Sequence, residues 1–199
     1  MEFNFIVLLL LLAGYYVVKK LVNYSFVILV EFFIMLAYFN HKVIEFELIQ
    51  FAFIIAGFIL APLLTSITTL VIKGSFIKPE LRIPLNNLQI ATGIWEEVLW
   101  RNVIFALMSK SFTYFSSQSL NLIFVVLFSS LLFVVFHKYN SIHDYLEMYL
   151  FTLCLTFCAM YVPYMNIGLH IGRNCFILKL QENKKREELE KSIDRKDAS

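Results

Sequence analysis

The chain has 199 residues, 59% of them hydrophobic and 16% charged, with a formal net charge of +2. Mean hydropathy is +0.72. Soluble domains are about 45–50% apolar, so this composition excludes an ordinary water-soluble globule. Basic residues that cluster at the ends of apolar runs and in a mixed-charge tail exclude a nucleic-acid groove. Apolar runs near 20 residues recur along the chain, which predicts an all-α, polytopic transmembrane helical bundle of about six or seven spans. Residues 1–180 form the expected membrane domain, with its motif-bearing half at 85–180, and residues 181–199 form a charged cytoplasmic tail.

The first apolar run, Phe3–Val18, lacks a basic leading region and an Ala-x-Ala-like site before Lys19-Lys20, so it reads as a retained span and not a removable signal. The second, Tyr24–Phe39, carries Glu31, an isolated carboxylate that is either protonated and hydrogen-bonded or lines a substrate cavity. The third, Leu48–Ile72, contains Pro62, which membrane helices tolerate. Lys73–Pro84 is the clearest break, with glycine, prolines and charges together. The fourth span is Leu85–Met108, followed by a polar loop, Ser109–Ser119, and a fifth span, Leu120–His137. His143 and Asp144 read as solvated loop residues before the sixth span, Tyr145–Tyr161. Val162–Asn166, with Pro163, is a tight turn into the seventh span, Ile167–Leu180. Because these last two spans are short, six spans with a re-entrant piece is the alternative. Gln181–Ser199 holds six basic and six acidic residues and reads as a solvated, partly helical tail.

With seven spans, Lys19, Lys20, Lys73, Lys78, Arg82, Lys138 and the tail fall on one side, and Lys42 and Lys110 on the other. The bias of positive charge toward the cytoplasm puts the C-terminus inside. Cys154, Cys158 and Cys175 lie in apolar segments with no framework spacing and read as packed thiols.

Three polar pairs interrupt the apolar spans, each at a four-residue spacing. In the fourth span, Glu97 and Arg101 share a helical face in the favourable acid-then-base order, and Glu96 lies about 100° round from Glu97. Charges at bilayer depth cost roughly 2.5–3.5 kcal/mol each, so they usually face a bundle interior and serve a purpose. A structural ion pair between helices is the plain alternative. Phe133-x-x-x-His137 closes the fifth span, where Phe133 packs beneath the imidazole. His170-x-x-x-Asn174 in the seventh span stacks two polar side chains on one face. Together they supply a carboxylate, two imidazoles and a carboxamide, a set suited to acyl-transfer chemistry. Arg173 points to another face and reads as a snorkelling residue.

In this order the three motifs resemble the CPBP family of intramembrane proteases, the CAAX-protease and bacteriocin-processing proteins that include the Ras-converting CAAX endopeptidase. The resemblance covers about Ile94 to Asn174. It implies that Glu96 is the general base that activates water, that His137 helps orient that water, and that His170 and Asn174 stabilise the oxyanion. Glu97, Arg101 and Phe133 become supporting residues. It implies a peptide or membrane-associated protein as substrate, no nucleic acid, and a bacterial plasma membrane as the setting, with peptide or bacteriocin maturation or self-immunity as the task. No cofactor is expected. The alternative is zinc on Glu96, His137 and His170, although the His-Glu-x-x-His pattern is absent. Two departures stand out: the interval from His137 to His170 is short for the family, and the sixth span lacks glycine. A non-enzymatic immunity or binding protein on the same scaffold is the runner-up function. A carrier built on Glu31, Glu96 and Glu97 is the third.

Overall fold

The computed structural model describes residues 48–80, 83–112, 117–162 and 164–197. The first two expected spans, with Glu31, lie outside them. Among the described residues the protein is all-helical. Helix α1 spans Leu48–Lys73, and α2 spans Asn87–Glu97. A π-helical stretch, Val98–Ile104, continues α2 into α3, Phe105–Ser111. Helices α4, Gln118–Val135, α5, Ile142–Tyr161, and α6, Met165–Asp197, follow.

Two described helices, α1 from Ile49 and α4, are long and apolar enough to cross a membrane. The other expected spans among the described residues are less apolar for a readable reason. Helix α5 opens with His143, Asp144 and Glu147, and the rod that carries α2 holds Glu96, Glu97 and Arg101. Helix α6 also runs without a break through the boundary expected at residue 180, because no proline or glycine follows Gly172.

Local signals set the helix ends. Asn86 caps α2, its Oδ1 accepting from the Gln89 amide at 3.2 Å. Ser141 caps α5, accepting from the Asp144 amide at 3.2 Å and donating to Asp144 Oδ2 at 2.8 Å. Gly74, at φ 66°, ends α1 in the left-handed region, and its amide donates to Leu70 O at 3.0 Å. The α5–α6 reversal passes through Tyr164, held at φ 73°, a backbone conformation that costs a non-glycine residue roughly 1–2 kcal/mol.

The most extensive packing between described helices is that of α1 on α6. It is a backbone-to-backbone contact. A Cβ built on Gly168 would collide with the Ile54 carbonyl oxygen, and one on Gly57 with that of Met165. A Cβ on Gly172 would lie 2.6 Å from Ala61 Cβ and 2.7 Å from Phe58 O. Gly57-x-x-x-Ala61 and Gly168-x-x-x-Gly172 thus form the small-residue interface that lets membrane helices approach closely. The Phe58 carbonyl that faces Gly172 is the one whose helical donor Pro62 removes. Just beyond it, Thr65 and Ser66 turn their hydroxyls back to Ala61 O and Pro62 O at 2.8 and 2.7 Å, which satisfies both inside the bundle. With its glycine face on α1, α6 directs Asn166 and His170, about 200° round from Gly168 and Gly172 in helical register, at α2.

Candidate active site

Trp95, Glu96, Glu97, Trp100 and Arg101 are all buried. Both tryptophans therefore belong to the core, and Trp100 stands edge-on to Phe133 with ring centroids 5.4 Å apart. The helix widens into its π form directly after Glu97, which resets the register of Arg101. Such bulges recur at functional sites. As a result Arg101 Nε lies 3.7 Å from Glu97 Oε2, an ion pair without a hydrogen bond. Among the described residues the three guanidinium nitrogens of Arg101 have no hydrogen-bond partner. The Arg101 cation rests instead 5.0 Å above the Phe133 ring, a desolvated arrangement worth about 2 kcal/mol.

Glu97 is the more tightly held of the two carboxylates. His170 Nδ1–H donates to Glu97 Oε1 at 2.7 Å, and Asn166 Nδ2–H donates to Oε2 at 2.7 Å. Glu96 lies between two imidazoles. His137 Nε2 lies 3.4 Å from Glu96 Oε1, and His170 Nε2 lies 3.3 Å from Oε2.

The second nitrogen of each ring fixes its direction. His137 Nδ1 lies 2.7 Å from Phe133 O. A carbonyl only accepts, so Nδ1 carries a proton and Nε2 faces Glu96. The same argument at Glu97 puts a proton on His170 Nδ1. Phe133 is the hub of this arrangement. Its ring centroid is 4.4 Å from that of His137 and 5.9 Å from that of His170. Two carboxylates, one guanidinium and two imidazoles are neutral overall when one ring is an imidazolium, so one proton has more than one basic position open to it.

His137 lies two residues past the end of α4, and its amide donates to Val134 O at 3.0 Å. This turn brings the ring against Glu96. Tyr139 then lies with its ring 6.2 Å from His137 and near-parallel to it, and edge-on to Tyr145 at 5.0 Å. Burial pushes the Tyr139 phenol above its ordinary pKa, so it stays a neutral donor. Asn174 is half-buried one turn beyond His170 and makes no hydrogen bond to Glu96, His137 or His170 among the described residues.

Three readings of the sequence need correction. Asn166 is not a turn residue. It lies in the first turn of α6, buried against Glu97, and its four-residue spacing from His170 is a signal the sequence carries. Arg173 does not snorkel. It is buried, donates from Nη2 to Glu147 Oε1 at 3.0 Å, and sits 5.0 Å over the Phe151 ring. Asp144 is paired: Lys73 Nζ lies 2.6 Å from Asp144 Oδ1 and 2.9 Å from Glu147 Oε2. The Lys73 ammonium holds the Asp144 carboxyl below its ordinary pKa. This second cluster joins α1, α5 and α6, and Lys179 of α6 pairs with Glu80 close by in the chain after α1.

Zinc needs ligand nitrogens and oxygens at about 2.0–2.2 Å around one point. In this arrangement each imidazole faces a different oxygen of Glu96. Among the described residues no three His, Cys, Asp or Glu side chains form a group able to hold a metal ion.

The family model for type II CAAX prenyl endopeptidase Rce1-like proteins matches residues 81–176. This segment is Rce1-like. It contains all three motifs, so the resemblance to the CPBP and CAAX-protease family is met by the comparison. No curated protein and no solved structure matches the chain. The Rce1-like segment takes in α2 to α5, and in α6 it ends just past His170 and Asn174. Helix α1, which supplies the glycine contact behind His170, precedes it.

Proposed function

We propose that this protein is an intramembrane endopeptidase in which Glu96 activates water for attack on a peptide carbonyl. The observation that carries the reading is the meeting, around one buried carboxylate, of imidazoles from α6 and from the turn after α4. The Rce1-like match supports a protease.

In the proposed reaction a water held against Glu96 and His137 loses a proton to the carboxylate as its oxygen bonds to the carbonyl carbon. The carbonyl oxygen becomes an oxyanion, met by His170 and by the carboxamide of Asn174. The proton then moves by way of Glu96 or His137 to the leaving nitrogen, and the C–N bond breaks to give a carboxylic acid and an amine. Glu97, tied by two hydrogen bonds, keeps the His170 ring fixed through the cycle.

The substrate class is a peptide bond close to the bilayer, in a peptide or a membrane-associated protein. Peptide maturation or self-immunity in a bacterial plasma membrane, with the C-terminus cytoplasmic, is the proposed setting. The mechanism uses no metal. The test is cleavage of an internally quenched, farnesylated CAAX peptide by the purified full chain in liposomes, compared with Glu96→Gln. Loss of cleavage with normal folding is expected. Undiminished cleavage overturns the role of Glu96, and peptide binding without cleavage in both proteins favours an immunity or binding protein. Activity lost to a chelator and restored by zinc overturns the metal-free step.

A further inference from the structure

We infer that Asn166 is a positioning residue, and that it acts on the site only through Glu97. The inference rests on the proposed protease reading for its consequence, but its geometry is independent of that reading. Asn166 is buried at the start of α6, outside all three sequence motifs. Its Nδ2 donates to Glu97 Oε2 at 2.7 Å, while His170 Nδ1 donates to Oε1 at 2.7 Å. One carboxylate is therefore clamped by two donors from successive turns of one helix.

The clamp has a directional consequence. A carboxylate free to rotate about its last bond can offer either oxygen, or both, to either donor. With Oε2 engaged by Asn166, Oε1 is the atom that takes the His170 proton. This sets the plane of the imidazole and the direction of Nε2, which faces Glu96. Arg101, at 3.7 Å and without a hydrogen bond, supplies charge but no direction. The other titratable groups near Glu97 among the described residues are its chain neighbour Glu96 and, within electrostatic range, Cys158 on α5. Neither is a hydrogen-bond partner of Glu97 among the contacts described. Among the described residues Asn166 is thus the neutral donor that fixes the rotation of Glu97.

Behind the clamp the backbone has no slack. Gly168 is pressed on the Ile54 carbonyl and Gly57 on that of Met165, so Met165 to Gly168 cannot slide along α1. Asn166 lies inside this pinned turn, and its reach to Glu97 is set by the main chain.

The test is a donor–acceptor swap. Asn166→Asp removes the donor and places two acceptors face to face. Glu97→Gln removes one acceptor. The double variant, Glu97→Gln with Asn166→Asp, restores one hydrogen bond with its direction reversed and leaves the oxygen of the new carboxamide for His170. The first readout is the 15N spectrum of histidine-labelled full chain in detergent micelles, with the His170 signals assigned by their loss in His170→Gln. Asn166→Asp should move the His170 ring-nitrogen signals and leave those of His143 in place, and the double variant should bring them back. The second readout is cleavage of the quenched farnesylated peptide. Each single variant should lower kcat at least tenfold with KM within about twofold, and the double should recover to within about threefold of the parent.

Unmoved His170 signals in Asn166→Asp, or a double variant no better than the product of the singles, overturns the inference. Asn166→Ser, a smaller change, replaces Asn166→Asp where the latter fails to fold by size exclusion, and it must show the same His170 shift. Should Glu96→Gln cleave normally while the His170 signals behave as expected, the protease reading fails and the clamp stands. Should Glu96→Gln abolish cleavage while Asn166 variants are silent, the clamp fails and the protease reading stands.

Discussion

The bundle holds two charged clusters, one buried and one that reaches the surface at Lys73 and Asp144, and they are built differently. Lys73, Asp144, Glu147 and Arg173 close into short ion pairs of 2.6, 2.9 and 3.0 Å that join three helices. These four side chains include no imidazole, and their two cations and two anions are mutually matched. At Glu96 the two imidazole contacts are longer, 3.3 and 3.4 Å. Arg101 there meets its partner only at 3.7 Å, on a π-helical turn. Short, matched pairs hold helices together. Looser contacts among groups that exchange protons leave room for a reaction. The first cluster is a fastening, and the second has the features of a working site.

The sharpest way to break this contrast is Glu96→Gln, which keeps the shape and removes the base. Cleavage should fall by about 10²–10⁴-fold while the melting temperature in detergent stays near that of the parent. His170→Ala should lower kcat over a similar range of roughly 10²–10⁴-fold, measured on the same peptide. Next is Gly168→Ala, far from the chemistry. It must push α6 off α1, and a displacement near 1 Å costs about 10²-fold in rate, with overpacking of roughly 1–3 kcal/mol in stability. Both are readable from kcat and thermal melts of one sample.

Glu147→Gln sharpens the contrast from the other side. It strands Arg173 in the interior and should cost about 3–5 kcal/mol of stability, with cleavage per folded molecule little changed. Asp144→Asn should have the smallest effect, about 1 kcal/mol or less, because that pair is partly exposed. Its pH dependence has a definite sign. Lys73 depresses the Asp144 pKa in the folded protein, so the contribution is present above the ordinary aspartate pKa. It is lost as pH falls through the depressed value. A melting-temperature series down to acid pH should therefore show a step in the parent that Asp144→Asn lacks.

How far the sequence is legible differs between these regions. Glu96, His137 and His170 stand out by residue type and apolar context, and each lies in or beside a pair at four-residue spacing, all of which are local. The Lys73–Asp144–Glu147–Arg173 cluster does not, because its members come from three helices and no spacing relates Lys73 to Glu147. Asn166 and Gly168-x-x-x-Gly172 carry local signals, a polar pair and a small-residue pair at four-residue intervals. Both are obscured by Pro163, which draws attention to a turn. Arg101 reads in α-helical register from the sequence, and the π-helical turn alters its relation to Glu97.

By itself the sequence determined the chemistry available: helices dictated by long apolar runs, and carboxylates, imidazoles and amides placed at intervals that share a face. Only the tertiary structure decided which of these groups meet. The register of one helix against another is set by close backbone contact at Gly57, Gly168 and Gly172 and by the widened turn after Glu97. Neither is a property of any single stretch of chain, because helix spacing depends on what both partners lack at the point where they touch.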